Sequence, residues 1–202
     1  MHGQDRDMPR LEGEDAEALL QPAIKKILAA AGDYCYGIDV PDLQTAAVQA
    51  LRKKGLTVAS AESCTGGLVA ARLTEVPGAS AVFGCGIVSY NNTVKAEVLG
   101  VDPAIIEQYT AVSAETAAAM AEAVRKKSGA DIGIGVTGNA GPSASEGQPV
   151  GLVFVAVASE KYSHVSRLFI DRHDADARNL IRHFAALKAL SLILRAAGYY
   201  KE

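Results

Sequence analysis

The 202-residue sequence contains no tryptophan and few other aromatic residues, four phenylalanines and seven tyrosines. Proteins that bind single-stranded nucleic acid stack bases on aromatic side chains, so this composition disfavours that class. The formal net charge of -3 supplies no broad basic field for phosphate backbones, although it leaves a local basic pocket open. We therefore expect no direct binding of nucleic acid.

Long apolar runs and paired cysteines are also missing. No stretch approaches the roughly 20 apolar residues of a membrane span, and the polar start lacks the apolar core of a signal peptide. The three cysteines, Cys35, Cys64 and Cys85, form an odd number without a CxxC pair. This argues against a disulfide framework and a zinc knuckle. Together these absences predict a cytoplasmic protein.

The sequence does contain an alternation of helical and strand patterns. Residues 1–13 show no apolar periodicity and are expected to be a disordered leader. Helices are predicted in 14–32, 41–55, 64–76, 91–100, 113–129 and 174–198, and strands in 57–61, 80–90, 131–138, 150–159 and 163–170. Segment 33–39 is either a strand or an extended connector. The last two strands lie close enough in sequence to form a hairpin. The fold class is therefore α/β, a three-layer sandwich with a mixed, mostly central β-sheet covered by helices on both faces.

The run LTVASAESCTGG places two potential nucleophiles, Ser63 and Cys64, where a strand gives way to a helix. A helix N-terminus offers unpaired N–H groups that stabilise an oxyanion, so Ser63 is a candidate nucleophile. The alternative is that Ser63 or Thr65 only caps the helix. Gly66 and Gly67 reduce helix propensity and are not needed by a cap, but they do allow a ligand to approach the backbone.

The run SYNNTVK places Tyr90 at the end of a strand and Lys95 one turn into a short helix that begins after an Asn cap. A buried lysine can serve as the base for a serine when its pKa is lowered. No histidine occupies a comparable place, so a Ser-His-Asp triad lacks its histidine. The alternative for Lys95 is a solvated helix lysine.

Residues 135–151, GVTGNAGPSASEGQPVG, form a glycine-rich connector long enough to be a binding loop. The Thr137 side chain and the N–H groups of this loop are candidates for binding a phosphate. The loop lacks the lysine of a Walker A motif and the G-x-G-x-x-G order, which excludes those two nucleotide sites. Near the last helix, one of Arg172, Arg178 and Arg182 is a candidate anion clamp, with surface arginines as the alternative.

Four ordered segments, TVASAESCTGGLVAARLTEVPGAS, FGCGIVSYNNTVKAEVLGV, AVSAETAAAMAEAVR and GVTGNAGPSASEGQPVGLVFVAVA, strongly resemble the CinA C-terminal domain family. These are the nicotinamide-nucleotide amidohydrolases, also named competence/damage-inducible proteins, and the resemblance covers roughly residues 42–197. It implies hydrolysis of the carboxamide of nicotinamide mononucleotide to nicotinate mononucleotide and ammonia, a step in recycling pyridine nucleotides. It also implies a serine-lysine mechanism with no metal and no cofactor.

Carried over by motif, the resemblance implies that Ser63 is the nucleophile, that Lys95 takes and returns the proton, and that Tyr90 orients the lysine or the pyridine ring. The backbone of Thr65 and Gly66 would hold the oxyanion. The substrate-binding residues implied are Thr65, Gly66, Gly67, Thr137, Gly138, Asn139, Gly141, Arg182 and Arg178.

The sequence departs from the family in its glycine loop, which in the family more often reads G-I-A-G-P-D-G-G with a lysine before Pro-Val-Gly. The departures here are Asn139, Ser143, Ala144, Ser145 and Gln148. Residues 14–40 are similar to the connector before this domain in longer CinA proteins, and 41–202 correspond to the domain itself. Two alternatives stay open, a non-catalytic nucleotide-binding domain and a competence-related interaction module. A homo-oligomer is expected.

Overall fold

The computed structural model describes residues 14–32 and 35–198. These residues divide into two compact units, with the boundary between Asp39 and Val40. The first unit contains helix α1, Glu14–Ala31, with Pro22 inside it and Gly32 after it at φ 50°. The predicted helix and its glycine stop are confirmed. The predicted leader lies outside the described residues. In segment 33–39, residues 35–39 contain no strand, so the connector alternative holds for the part that is described.

The second unit contains a five-stranded sheet in the order β2-β1-β3-β4-β5. The strands are β1 Val58–Glu62, β2 Phe83–Val88, β3 Ile132–Gly138, β4 Leu152–Ser159 and β5 Ser163–Phe169. Strand β1 is parallel to β2 and β3, whereas β4 is antiparallel to β3 and β5. The sheet is therefore mixed, and the hairpin predicted for its last two strands is confirmed.

Helices cover both faces of this sheet. They are α2 Leu43–Lys54, α3 Leu68–Thr74, α4 Pro103–Tyr109, α5 Ala114–Ser128 and α6 Ala177–Ala196. Helix α5 lies directly on β3, where a Cβ atom on Gly135 would come within 2.2 Å of the Ala117 carbonyl oxygen. Alternate residues of β3, such as Ile134, point to the other face, where α6 contacts β3 and β4 and packs with α2 and α3. This is the predicted three-layer α/β sandwich.

Three helical segments differ from the sequence prediction. Helix α3 begins at Leu68 after the N-cap Gly67, and not at residue 64, so the alternative that Ser63 or Thr65 caps this helix is wrong. Helix α4 was not predicted, yet Asp102 caps it by accepting the Ala104 N–H (3.0 Å) and Pro103 occupies its first turn. The short helix after β2 is largely a π-helical segment, Val94–Leu99, with the Asn91 side chain accepting the Val94 N–H at its start (2.8 Å). Within the described residues, no helix is long and apolar enough to cross a membrane.

Candidate active site

The turn that carries Ser63 is held by the residue before it. Glu62 ends β1 with only 1% of its surface exposed, and its carboxylate accepts the N–H groups of Gly67 (3.0 Å), Val69 (3.0 Å) and Ala70 (2.9 Å). A carboxylate at a helix N-terminus is stabilised by these donors and by the helix dipole. Glu62 thus ties the strand that precedes Ser63 to the helix that follows it.

These hydrogen bonds correct one expectation about the oxyanion site. The Gly67 N–H is bound by Glu62, and the Gly66 N–H donates to the Ser63 carbonyl (3.0 Å), so neither is free for a substrate. In the part of the chain that is described, no backbone or side-chain oxygen accepts the N–H groups of Cys64 and Thr65. The N–H groups of Cys64 and Thr65 are therefore the candidate donors for an oxyanion formed at Ser63.

The site distinguishes the two adjacent nucleophiles, Ser63 and Cys64. Cys64 is 5% exposed, and desolvation of its thiol raises its pKa to about 12. The thiolate is the reactive form of cysteine, and it is scarcely populated at neutral pH with such a pKa. Both residues line the cavity described below, but Ser63 Oγ is the one that accepts a hydrogen bond from Lys95 Nζ (3.3 Å), so Ser63 is the nucleophile that the site favours.

Lys95 is buried beside Ser63. Its surface is 1% exposed, and its Nζ donates to Ser63 Oγ (3.3 Å) and to the Tyr90 carbonyl oxygen (3.4 Å). Burial lowers the pKa of Lys95, while the nearby Glu146 carboxylate acts in the opposite direction. The π-helical segment that carries Lys95 is a type of distortion common at functional sites. The alternative of a solvated lysine is wrong.

The two arginines of α6 occupy different places. Arg178 donates from Nη2 to the Tyr90 hydroxyl (3.1 Å) and from Nη1 to the Gly141 carbonyl, and it lines the cavity. Arg182 instead donates to the Thr65 carbonyl (3.0 Å), behind the turn that carries Ser63. The structure therefore separates one arginine that faces the cavity from one that braces the turn.

The glycine-rich loop is braced by its own side chains. The Thr137 hydroxyl donates to the Ala111 carbonyl (2.6 Å), so its proton is already engaged. The Asn139 amide donates to the carbonyls of Ser143 and Gln148 (both 3.1 Å) and accepts the Gly141 N–H (3.0 Å). Asn139, which departs from the family pattern, thus organises the loop.

A cavity of about 400 Å³ lies between this loop and the Ser63 turn. Of the predicted site residues, it is lined by Ser63, Tyr90, Lys95, Thr137, Gly138, Asn139, Gly141 and Arg178, but not by Thr65, Gly66, Gly67 or Arg182. Its size and its few convergent polar groups suit a small molecule. Histidine is absent from the described lining residues.

Sequence reasoning missed two carboxylates. Glu62 is signalled only by its position just before a helix N-terminus, where a carboxylate is a favourable cap. Glu146 is an exposed loop residue that lines the cavity through contacts distant in sequence, and no local pattern marks it.

Comparisons with known proteins agree with this fold. The family model described as the CinA C-terminal domain matches residues 41–197. A CinA-like protein of Kosmotoga olearia is 41% identical over 184 residues, which is 91% of this chain and 44% of that protein. A CinA-like protein of Desulfovibrio desulfuricans is 47% identical over 146 residues, 72% of this chain and 34% of that protein.

A solved structure, the competence/damage inducible protein CihA from Agrobacterium tumefaciens, superimposes with a TM-score of 0.71 at 34% identity. The match covers 79% of this chain and 98% of that one. This chain spans less than half the length of the curated relatives it matches.

Proposed function

Since the chain belongs to the CinA C-terminal domain family, we propose that it hydrolyses the carboxamide of nicotinamide mononucleotide to nicotinate mononucleotide and ammonia. The observation that carries this proposal is the buried pair formed by Ser63 and Lys95, whose Oγ and Nζ atoms lie 3.3 Å apart. A serine beside a lysine of lowered pKa is an arrangement that activates the hydroxyl for attack on an amide.

The reaction begins as Ser63 Oγ attacks the carboxamide carbon and Lys95 Nζ takes the hydroxyl proton. The oxyanion that forms is stabilised by the N–H groups of Cys64 and Thr65. Lys95 then returns its proton to the leaving nitrogen, which departs as ammonia and leaves an ester on Ser63. Attack of water on this ester, with Lys95 again taking the proton, releases the nicotinate nucleotide and restores the hydroxyl.

The cavity also supplies a group for the nucleotide phosphate. Arg178 uses two of its five N–H donors on Tyr90 and Gly141, which fix the guanidinium at the cavity wall. A guanidinium held in place binds a phosphate through paired hydrogen bonds. We therefore assign the phosphate to Arg178, which lines the cavity, and not to Arg182, which donates to the Ser63 turn and does not line it.

Ammonia release from nicotinamide mononucleotide tests the proposal. Wild type should release ammonia, and Ser63→Ala and Lys95→Ala should each lose about a thousandfold or more in kcat. Ser163→Ala and Lys127→Ala, which change the same residue types at exposed positions outside the cavity, are the matched controls and should keep wild-type rates.

Two other outcomes would contradict part or all of this proposal. A wild type that binds the nucleotide without releasing ammonia supports the non-catalytic nucleotide-binding alternative. Full activity in both Ser63→Ala and Lys95→Ala rules out the serine-lysine pair while leaving the reaction in place.

A further inference from the structure

Glu146 fastens the glycine-rich loop to the opposite walls of the cavity. Its carboxylate accepts the Ala111 N–H (2.8 Å) and the Asn92 side-chain amide (3.2 Å). Its backbone has φ 51°, a left-handed conformation that non-glycine residues rarely adopt. The loop thus holds an unfavourable backbone conformation while its one carboxylate makes two contacts outside the loop.

Both partners of Glu146, Asn92 and Ala111, line the cavity that contains Ser63 and Lys95. Asn92 lies just before the π-helical segment that contains Lys95. Ala111 is held through its carbonyl by the Thr137 hydroxyl at the end of β3 (2.6 Å). On the far side of the loop, Arg178 binds the Gly141 carbonyl. The loop is therefore anchored at two places, at Glu146 and at Gly141.

Glu146 is also the one carboxylate among the described residues that line the cavity. The other titratable or charged groups that line it are Cys64, Tyr90, Lys95 and Arg178. Burial raises the pKa of the Cys64 thiol, which keeps it neutral, and Arg178 is cationic. Glu146 is therefore the lining residue with a negative charge that can act on Lys95.

We propose that Glu146 is a positioning residue of the amidase, which fastens the loop over the cavity and stabilises the ammonium that Lys95 becomes when it takes the Ser63 proton. This inference rests on the proposed function. The charge on Lys95 appears as the transition state is approached, so a nearby carboxylate favours the transition state over the ground state. The Glu146 side chain is exposed, so salt weakens its effect.

Two substitutions separate the charge of Glu146 from its hydrogen bonds. Glu146→Gln keeps an oxygen that can accept the Ala111 N–H but removes the charge, whereas Glu146→Ala removes both. Glu107→Gln, an exposed glutamate of α4 outside the cavity, is the matched control. Circular dichroism and thermal melting establish that each variant is folded.

The first readout is the pH profile of kcat/KM. The neutral lysine is the active base, so activity rises as pH increases through the Lys95 pKa. Glu146 raises that pKa. Glu146→Gln should therefore move the acid limb to lower pH and lower kcat about threefold to tenfold. Added salt should shrink the difference from wild type. Glu107→Gln should leave the profile unchanged.

The second readout is hydrogen exchange at the Ala111 amide, measured by NMR. In Glu146→Ala this amide should exchange about tenfold faster or more, and KM should be higher. In Glu146→Gln both the exchange rate and KM should stay closer to the wild-type values. An active wild type with unchanged acid limb and Ala111 exchange in both variants overturns this proposal alone. A wild type that releases no ammonia overturns the catalytic part together with the proposed function. Ala111 exchange then still tests whether Glu146 fastens the loop.

Discussion

The guanidinium of Arg182 donates a hydrogen bond to the Thr65 carbonyl oxygen at 3.0 Å, which ties α6 to the turn that carries Ser63. Arg178, one helical turn earlier, faces the cavity and binds Tyr90 and Gly141. Two arginines that are equivalent by sequence spacing therefore have different surroundings, and their substitution should have different kinetic effects.

We expect Arg178→Ala to raise KM for nicotinamide mononucleotide about tenfold or more, because a phosphate contact is lost. The same variant should differ little from wild type on nicotinamide riboside, which has no phosphate. Arg182→Ala should instead lower kcat on both substrates, since the Ser63 turn loses a brace, and Arg182→Lys should recover part of that loss. Steady-state kinetics on both substrates measure this. If Arg182→Ala selectively raised KM for the mononucleotide, the phosphate contact would be assigned to Arg182 instead.

Lys95 should make stability depend on pH. Burial lowers its pKa in the folded state below the ordinary 10.5, so between the two values the unfolded chain binds more protons. The contribution of Lys95 to the free energy of unfolding of the wild type therefore increases as pH rises from its folded-state pKa to 10.5. Lys95→Met, which buries no charge, should be more stable than wild type near neutral pH by about 1 kcal/mol or more. The difference should narrow as pH approaches 10.5, as measured by urea unfolding. A difference that is constant with pH would contradict a lowered pKa.

Cys64 should be the slowest of the three cysteines to react with iodoacetamide. Its pKa of about 12 leaves little thiolate at pH 8, and its side chain is buried, whereas Cys35 and Cys85 are half-buried. Mass spectrometry of the folded protein should find Cys64 modified about a hundredfold more slowly than Cys85. Unfolding in urea should equalise the three rates. Equal rates in the folded protein would contradict the burial of Cys64.

Glu62→Gln should destabilise the fold as well as the site. The glutamine amide offers one acceptor oxygen where the carboxylate offers two, so N–H groups of Gly67, Val69 or Ala70 lose their partner in the interior. We expect the free energy of unfolding to fall by about 2–4 kcal/mol, measured by urea denaturation. Glu107→Gln should change it by less than about 0.5 kcal/mol. A neutral Glu62→Gln would show that these N–H groups find other partners.

Two glycines of the sheet, Gly135 in β3 and Gly84 in β2, should respond differently to alanine. A Cβ on Gly135 would lie 2.2 Å from the Ala117 carbonyl oxygen and 2.6 Å from the Ala121 nitrogen, so α5 must move away from the sheet. Gly135→Ala should destabilise the protein by about 3 kcal/mol or more. A Cβ on Gly84 meets no atom within 4 Å, so Gly84→Ala is the matched control and should be nearly neutral in thermal unfolding. Equal effects would contradict the close packing of α5.

Much of the fold follows from local patterns. Apolar periodicity predicts most of the helices and all five strands of the sheet, and the short link between β4 and β5 predicts their hairpin. Helix α4 was missed because its seven residues are too few for a clear periodic signal. The π-helical form of the Lys95 segment was also missed, since that choice depends on how the segment packs and not on residue propensity.

The sequence by itself determined that Ser63 and Cys64 stand where β1 ends and that Lys95 follows the end of β2, because both positions are set by local strand and helix signals. Only the tertiary structure decided that Lys95, 32 residues away, is buried against Ser63, and that Cys64 is too enclosed to ionise at neutral pH. It also decided that Arg178 faces the cavity while Arg182 braces the turn. These outcomes depend on burial and on contacts between distant segments, and such contacts leave no pattern in the local sequence.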